Sequence, residues 1–241
     1  MKTTLYYIIF SIFIFSSFSP DEASDILKKV DQAEISIKDK TANVEMQMIN
    51  LKTGKKKIKK AIYFQKGLDK KLFKYTYPKS DEGIATLNIP GEVYLYLPMF
   101  KKPKKITNMA ESNKFNKSDF SLEDMNTDSY SKLYKAKKLG DEANNYKLKL
   151  IPKNPKSSYS HIIAHFNKKH YYAEKFEYFD NKNNLLKVAT YKYIKIGTHW
   201  VSSTVSMTNV KKNHRTIFIM TDIKINSKLS DSLFSVENMI K

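Results

Sequence analysis

Residues 91–125, GEVYLYLPMFKKPKKITNMAESNKFNKSDFSLEDM, contain three successive kinds of sequence. Alternating aromatic and aliphatic residues at 93–97 predict a β-strand, and Pro98 ends it because proline cannot donate a hydrogen bond to a sheet. A basic run at 101–105 follows, and the stretch closes on the polar segment SDFSLED at 118–124. The stretch therefore predicts a strand, a basic loop and a short polar segment, in that order.

This order resembles the signature of a family of outer-membrane lipoprotein-sorting proteins related to the periplasmic carrier LolA. In that family a W-x-Y-L-P strand leads to a basic stretch and then to an S/T-D-F-S-x-E-D segment. A second resemblance lies at residues 229–234, LSDSLF, where family members carry an L-S/P-D-x-L-F turn after the last strand. Together with the order of helix and strands, the resemblance covers nearly all of residues 20–241.

The resemblance implies both a fold and a function. The implied fold is mainly β: a LolA-like open (incomplete) antiparallel barrel of about ten strands, with an N-terminal helix and a short lid helix over the concave face. The implied function is that of a periplasmic carrier, which holds the acyl chains of a lipid or lipoprotein in an apolar cavity for transport to the outer membrane. Family members are often associated with membrane permeases, so an inner-membrane permease or transporter is the implied protein partner. Asp119, Glu123 and Asp124 recur in the family pattern, which implies that they fix the lid.

The composition suits a large folded domain and argues against nucleic-acid binding. Lysine and arginine number 43 against 24 acidic residues, for a formal net charge of +19, but Arg215 is the only arginine. Proteins that read base edges usually rely on the planar fork of arginine, and these lysines are spread along the whole chain. We therefore expect no nucleic-acid partner, and we expect the surface to be attracted to anionic membrane headgroups.

The first 19 residues predict export. Lys2 precedes an uncharged apolar run at 5–18, which is shorter than the roughly 20 residues that a membrane-spanning helix needs. This pattern favours a signal peptide at 1–19 and a LolA-like lipid-binding domain at 20–241, and it predicts a periplasmic location. Pro20 disfavours cleavage after Ser19, so an uncleaved segment anchored in the inner membrane stays open as the alternative.

Hydrophobic periodicity predicts one helix followed by strands. Ser19, Pro20 and Glu22 form a capping pattern, and apolar residues at helical spacing continue to about Ile37: Ala23, Ile26, Leu27, Val30 and Ala33. From Thr41 onward the period is two, and short polar turns permit only antiparallel neighbours. A sheet with one apolar face must be covered, and the helix and the segment at 121–135 are the expected covers.

The sequence lacks the common catalytic motifs. There is no cysteine, no phosphate-binding glycine pattern and no G-x-S-x-G motif. His161 and His165 lie four apart in a predicted strand, which separates their side chains by about 13 Å; this favours a surface or pocket-lining role over a shared metal. Glu123 and Asp124 point apart, so they suit a short capped helix beginning at Ser121 better than acid–base catalysis. We expect no enzyme activity, no metal and no cofactor.

Aromatic and methionine residues are the candidates for the binding surface, because methionine suits a pocket for variable apolar ligands. The acyl-cavity candidates are Met46, Met48, Tyr94, Tyr96, Phe120, Met125 and Trp200. An apolar pair beside a cationic run can dip into a headgroup layer, so the candidates for a membrane or partner rim are Met99, Phe100, Lys101, Lys102, Lys104 and Lys105. Core packing of the methionines and of Trp200, and a hairpin in which Phe100 packs down, stay open as alternatives.

Two other functions also stay open. One is a binding module that senses lipid or envelope stress and acts on a protein partner. The other is a cationic surface protein that binds nucleic acid or an anionic polymer, which the arginine-poor composition makes the weaker alternative. A carrier and a sensor place the same apolar demand on a cavity, so the sequence leaves the choice between them open.

Overall fold

The computed structural model describes residues 20–106, 118–126 and 128–241, so the predicted signal peptide and the Ser19 cap lie outside the described residues. The helices are α1 (Pro20–Ile35), α2 (Tyr130–Leu133) and α3 (Val236–Met239), with 3₁₀ turns at Pro98–Phe100 and Asp231–Phe234. The strands are β1 (Asp39–Asn50), β2 (Lys56–Lys66), β3 (Lys70–Tyr77), β4 (Ala85–Ile89), β5 (Glu92–Tyr96), β6 (Pro103–Lys105), β7 (Tyr134–Asp141), β8 (Asn145–Pro152), β9 (Tyr159–Asn167), β10 (Ala173–Asp180), β11 (Leu185–Ile196), β12 (His199–Asn209) and β13 (His214–Ile225).

All thirteen of these strands belong to one antiparallel sheet, in the order β6-β5-β4-β3-β2-β1-β13-β12-β11-β10-β9-β8-β7. The first strand, β1, pairs with the last, β13, and every other pair of neighbours is consecutive in the chain. The two edge strands, β6 and β7, do not pair with each other, so the barrel is open. The predicted open antiparallel sheet is confirmed.

Three strands, β4, β6 and β7, are additional to the ten that the sequence pattern indicates. Strand β4 has only five residues, and its first four are all buried, including the polar Thr86 and Asn88. Strand β6 lies inside the basic run and pairs with β5, with Lys105 opposite Tyr94. Strand β7 begins at Tyr134, inside the segment predicted to be a cover.

Helix α1 buries the face that its sequence predicts. Ala23, Leu27 and Val30 are at most 1% exposed, and the helix packs against β7 and α2. It ends at Ile35, two residues before the predicted end. Within the described residues, no helix combines the length and the apolar character needed to cross a membrane.

The sheet is covered on parts of both faces. The main core lies on the concave face under α1, whereas a second cluster lies on the convex face at β3 and β4. Leu72 and Leu87 pair across these strands and pack with Phe234 and Met239 from the C-terminal turn and α3. The C-terminal segment therefore protects the part of the convex face that would otherwise expose an apolar patch.

Candidate functional site

A cavity of about 450 Å³ lies on the concave face of the sheet. This volume falls within the roughly 300–1,000 Å³ typical of small-molecule sites. The C-terminal end of α1 and the lid segment, defined as residues 118–126, cover the cavity together with α2. The wall is mainly apolar and aromatic, with lining residues that include Val44, Tyr63, Phe73, Phe120, Met125, Tyr130, Leu150, Ile162, Ala173, Phe176, Tyr178, Tyr191, Val205 and Phe218.

Closely packed rings form the floor of the cavity. Phe218 lies between Phe73 and Phe120, with ring centroids 6.0 and 4.9 Å apart. Burial raises the pKa of the Tyr130 and Tyr178 hydroxyls well above its ordinary value, so both stay neutral. The interior therefore presents mainly apolar surface and neutral hydroxyls, and the two carboxylates that also line it, Glu123 and Asp124, are engaged by protein donors. This surface suits a hydrocarbon chain better than a charged ligand.

The cavity opens at one end of the sheet, which we call the mouth. At this end β1 begins, β2 ends and β3 begins, because Lys40 pairs with Gln65 and Gln65 with Lys71. The exposed lining residues are Glu34 and Ser36 at the end of α1, Thr198 in the β11–β12 hairpin and Asp128 just before α2. The deeper lining residues are buried or half-buried, so the mouth is the more polar end of a mainly apolar pocket.

One side of the mouth carries charge. Lys40 and Lys71 line the cavity and are half-buried, and the exposed Glu34 faces the same space. Burial, with a smaller effect of Lys71, lowers the pKa of Lys40 to about 8, and burial also lowers the pKa of Lys71. Although Glu34 is exposed, its position in the mouth desolvates the carboxyl and raises its pKa against the opposing effect of Lys71. The mouth therefore disfavours the charged forms of the two lysines and of Glu34.

The other side of the mouth is aromatic. The Tyr172 ring stacks on Tyr193 with centroids 4.1 Å apart, and His170 and Tyr172 lie 5.2 and 5.8 Å from Trp200. These side chains come from the β9–β10 turn, β11 and β12, and all four line the cavity. The mouth thus has a cationic side on β1–β3 and an aromatic side on β10–β12.

A buried ionic cluster attaches the lid segment to the sheet. The Lys187 Nζ atom lies 2.7 Å from Asp124 Oδ2 and 2.7 Å from the Tyr159 hydroxyl, which itself donates to Asp124 Oδ1 at 2.6 Å. The Asp124 and Lys187 side chains are 1% and 9% exposed. Lys187 also lies over the Tyr159 ring, 5.3 Å from its centroid. Asp124 therefore joins the lid segment to β9 and β11 at once.

The other two lid carboxylates make separate attachments. The Asp119 Oδ2 atom accepts from Thr216 Oγ1 at 2.7 Å and lies 2.6 Å from His214 Nδ1, both in β13. Glu123 accepts hydrogen bonds from the Ser157 hydroxyl and, at 3.0 Å, from the Ser158 backbone N–H. All three carboxylates therefore bind neighbouring protein groups and hold the lid segment in place.

The predicted lid helix does not begin at Ser121. The expected reciprocal bonds do form, since Ser121 Oγ accepts from the Asp124 N–H at 3.2 Å and Asp124 Oδ2 accepts from the Ser121 N–H at 2.7 Å. They close only a turn, in which the Met125 and Asn126 N–H groups donate to the carbonyls of Leu122 and Glu123, three residues back. The helix over the cavity is α2, whose first N–H groups at Tyr130 and Ser131 donate to Asp31 of α1 at 2.7 and 3.1 Å.

The seven predicted cavity residues fall in three places. Phe120, Met125 and Trp200 line the cavity. Met46 and Met48 lie in the main core, where Met46 Sδ is 3.9 Å from the Tyr75 hydroxyl. The two strand tyrosines, Tyr94 and Tyr96, pack against the second cluster on the convex face, away from the cavity.

The predicted rim residues form an exposed tip, defined as residues 99–105. Met99 is 80% and Phe100 64% exposed, which excludes the alternative in which Phe100 packs down. Lys101, Lys102 and Lys104 are exposed, as is Lys105, which contacts Glu92. Because β5 runs away from the mouth, with Val93 opposite Asn88 and Tyr96 opposite Ala85, the tip and the mouth lie at opposite ends of β5.

The two strand histidines lie on the convex face, so the pocket-lining role is wrong for them. His161 stacks on Phe179 with centroids 4.5 Å apart. His165 is 7% exposed and lies 2.9 Å from Glu142 and 3.4 Å from Glu177. Their partners differ, and no cluster of three or more metal-ligating side chains occurs among the described residues.

The sequence pattern does not single out Glu34, Lys40 and Lys71, which line the mouth. In the sequence each lysine is one of many in a lysine-rich chain, and only the strand register brings the two onto one face at the mouth. The available signal was the position of each lysine at a strand start, next to apolar residues at alternating positions.

Comparison with known proteins supports the fold. The chain is similar to an outer membrane lipoprotein-sorting protein domain from Vibrio parahaemolyticus, with a TM-score of 0.83 and 24% identity over 92% of this chain and 100% of that one. It is also similar to a DUF1329 family protein from Desulfovibrio piger, with a TM-score of 0.82 and 20% identity over 91% of this chain and 98% of that one. A LolA superfamily protein from Nitrosomonas europaea is similar with a TM-score of 0.73 and 18% identity, over 88% of this chain and 97% of that one. A family model described as "Uncharacterized protein" matches residues 67–241, and none of the curated proteins matches. The resemblance to the LolA fold is confirmed.

Proposed function

Because the chain belongs to the family whose model matches residues 67–241, and because it has a LolA-like fold, we propose that it is a periplasmic carrier that holds lipid or lipoprotein acyl chains for transport to the outer membrane. The observation that carries the proposal is the apolar cavity of about 450 Å³ beneath the lid segment. Each buried methylene contributes about 0.8 kcal/mol, so a chain with about six buried methylenes gains about 5 kcal/mol.

Release of such a chain requires work on the lid segment. Asp119 attaches it to β13, Glu123 to the β8–β9 loop and Asp124 to β9 and β11. A ligand covered by it leaves only when some of these contacts open. A membrane or protein partner that competes for these contacts would open the cavity. We propose an inner-membrane permease or transporter in this role, and the three carboxylates as lid scaffold rather than as catalytic groups.

The exposed tip is the proposed docking surface for an anionic membrane or for that partner. Met99 and Phe100 stand out from the sheet beside exposed lysines. Apolar residues of this kind enter the headgroup layer while the lysines contact anionic lipid. The tip lies away from the mouth, so the protein can dock with its tip without blocking the cavity.

A substitution that fills the cavity with a large side chain tests whether the cavity takes up an acyl chain. Val205 of β12 lines it, whereas the next residue, Thr204, points to the other face of the same strand. We expect Val205→Trp to abolish uptake of a fluorescent fatty acid and to remove co-purifying lipid detected by extraction and mass spectrometry. Thr204→Trp is the matched control and should bind as the wild type does. Absence of both bound lipid and uptake in the wild type would contradict the proposal.

The transfer of labelled lipid between two liposome populations distinguishes a carrier from a sensor. A carrier accelerates movement of labelled lipid from donor to acceptor vesicles in proportion to its concentration. Uptake without accelerated transfer would refute the carrier function and favour a lipid-sensing module that acts on a protein partner.

A further inference from the structure

Three polar side chains form a row across the mouth. Lys40 of β1 is directly opposite Gln65 of β2, and Gln65 is directly opposite Lys71 of β3. All three line the cavity and therefore share one face of the sheet. Neighbouring strands lie about 4.8 Å apart, so the Cα atoms of the two lysines are about 10 Å apart across two strand spacings, within reach of one group for two flexible ammonium side chains.

The two lysines keep their charge available. Gln65 is occupied, because its Oε1 accepts from the Tyr63 hydroxyl at 2.8 Å and its Nε2 donates to the Gly67 carbonyl at 2.8 Å. Within the described part of the chain, neither lysine has a carboxylate within 4 Å. Lys40 Nζ lies over the Tyr63 ring, 5.3 Å from its centroid. Two half-buried cations thus face the cavity without an ion-pair partner.

Glu34 offsets this charge only partly. It faces the lysines from α1 and acts to raise the pKa of each, but burial outweighs this effect. The lowered pKa values of both lysines have burial as their main cause. An anion placed between the two ammonium groups would relieve this cost, because opposite charges favour the charged form of each.

The residues directly inward of this row, toward the interior of the cavity, are almost all apolar or aromatic. The next row inward on the same face is Ala42, Tyr63 and Phe73, and the row after it is Val44, Ala61 and Tyr75. Their members are all buried, between 1% and 8% exposed. A ligand that fits both parts has a charged head at the mouth and an apolar tail directed inward.

We propose that Lys40 and Lys71 form a headgroup site for an anionic amphiphile, a carboxylate or phosphate joined to a hydrocarbon chain, whose tail occupies the apolar cavity. This inference rests on the proposed function and narrows its ligand class. It makes the two lysines binding residues for the head, and it orients the ligand tail-first.

The test compares a pyrene-labelled fatty acid with the fatty alcohol of the same tail, by fluorescence titration of the full chain. The wild type should bind the acid about tenfold more tightly, the ratio expected for charge-assisted hydrogen bonds to one head. The double variant Lys40→Met/Lys71→Met should lose this preference and bind both ligands as the wild type binds the alcohol. Lys74→Met removes one lysine from the opposite face of β3 and should leave both affinities unchanged.

The outcomes separate the two proposals. If the wild type binds neither ligand, the proposed carrier function fails. If it binds acid and alcohol equally, or if the double variant keeps the preference for the acid, the headgroup site is refuted while the cavity function stands. Inorganic phosphate should displace the labelled acid only weakly, because phosphate has no tail. If phosphate displaced it as efficiently as the unlabelled acid does, the two lysines would be a site for a free anion, and the proposal would be overturned.

Discussion

Replacing Asp124 by asparagine would leave a buried lysine without its carboxylate. The Asp124 and Lys187 side chains are 1% and 9% exposed, with 2.7 Å between Oδ2 and Nζ. Removing one partner of a buried ion pair costs about 3–5 kcal/mol, because the remaining charge stays desolvated. An asparagine keeps one oxygen to accept from Tyr159, so we expect the lower end of this range, a loss of about 3 kcal/mol in the free energy of unfolding.

Thermal unfolding followed by circular dichroism measures this loss. For a chain of 150–250 residues, about 1 kcal/mol corresponds to about 2–4 °C, so Asp124→Asn should lower Tm by about 6–12 °C. The double variant Asp124→Asn/Lys187→Met removes both buried charges and should be more stable than Asp124→Asn alone. This non-additivity distinguishes an unpaired charge from a general loss of packing.

The matched control is an exposed pair with the same chemistry. Lys211 Nζ lies 2.6 Å from Asp180 Oδ2, but the Lys211 side chain is 52% exposed. Lys211→Met should therefore cost at most about 1 kcal/mol. A loss below 1 kcal/mol for Asp124→Asn, or purely additive losses in the double variant, would refute the view that this cluster holds the lid segment.

Three further predictions concern the mouth and the tip. Because the pKa of Lys40 is lowered to about 8, the affinity for the fatty acid should fall between pH 7 and pH 9 as the ammonium group loses its proton. The affinity for the fatty alcohol, measured by the same titration, should not change. Parallel pH profiles for the two ligands would contradict the assignment of Lys40 to the headgroup site. Lys40→Met should not lower Tm at pH 7, because burying the charged lysine costs free energy in the folded state. This cost is complete below the folded pKa of about 8 and is lost as the pH rises to the pKa of about 10.4 in the unfolded state. A lower Tm of Lys40→Met at pH 7 would show that the lysine stabilises the fold. Met99→Ser/Phe100→Ser should weaken sedimentation with anionic vesicles without changing Tm, because both side chains are exposed; unchanged sedimentation would exclude the tip as the docking surface.

Much of the fold follows from local patterns. The buried face of α1 is the one that the spacing of Ala23, Leu27 and Val30 predicts. Alternation identifies most strands, because the side-chain period of a strand is a local property. Strand β4 is absent from the sequence prediction although its five residues alternate, and there the polar Thr86 and Asn88 are buried as well as Ala85 and Leu87.

The candidate site follows much less from local patterns. Tyr94 and Tyr96 do share a face, as alternation requires, but that face packs under Phe234 and Met239, which are more than 130 residues away in the chain. The capping bonds of Ser121 and Asp124 form, and Lys187, 63 residues away in the chain, makes Asp124 part of a buried ion pair. In both cases the local preference is satisfied and a distant contact determines its role.

Periodicity along the chain was enough to predict a helix followed by a long antiparallel meander, and the spaced motifs at 91–125 and 229–234 were enough to indicate the LolA-like fold. The cavity, its mouth and the row formed by Lys40, Gln65 and Lys71 required the folded molecule. They depend on register and curvature, which contacts such as the pairing of Lys40 with Ile225 establish between residues far apart in the chain. A strand's own residues specify its two faces, but its neighbours determine which face encloses a cavity.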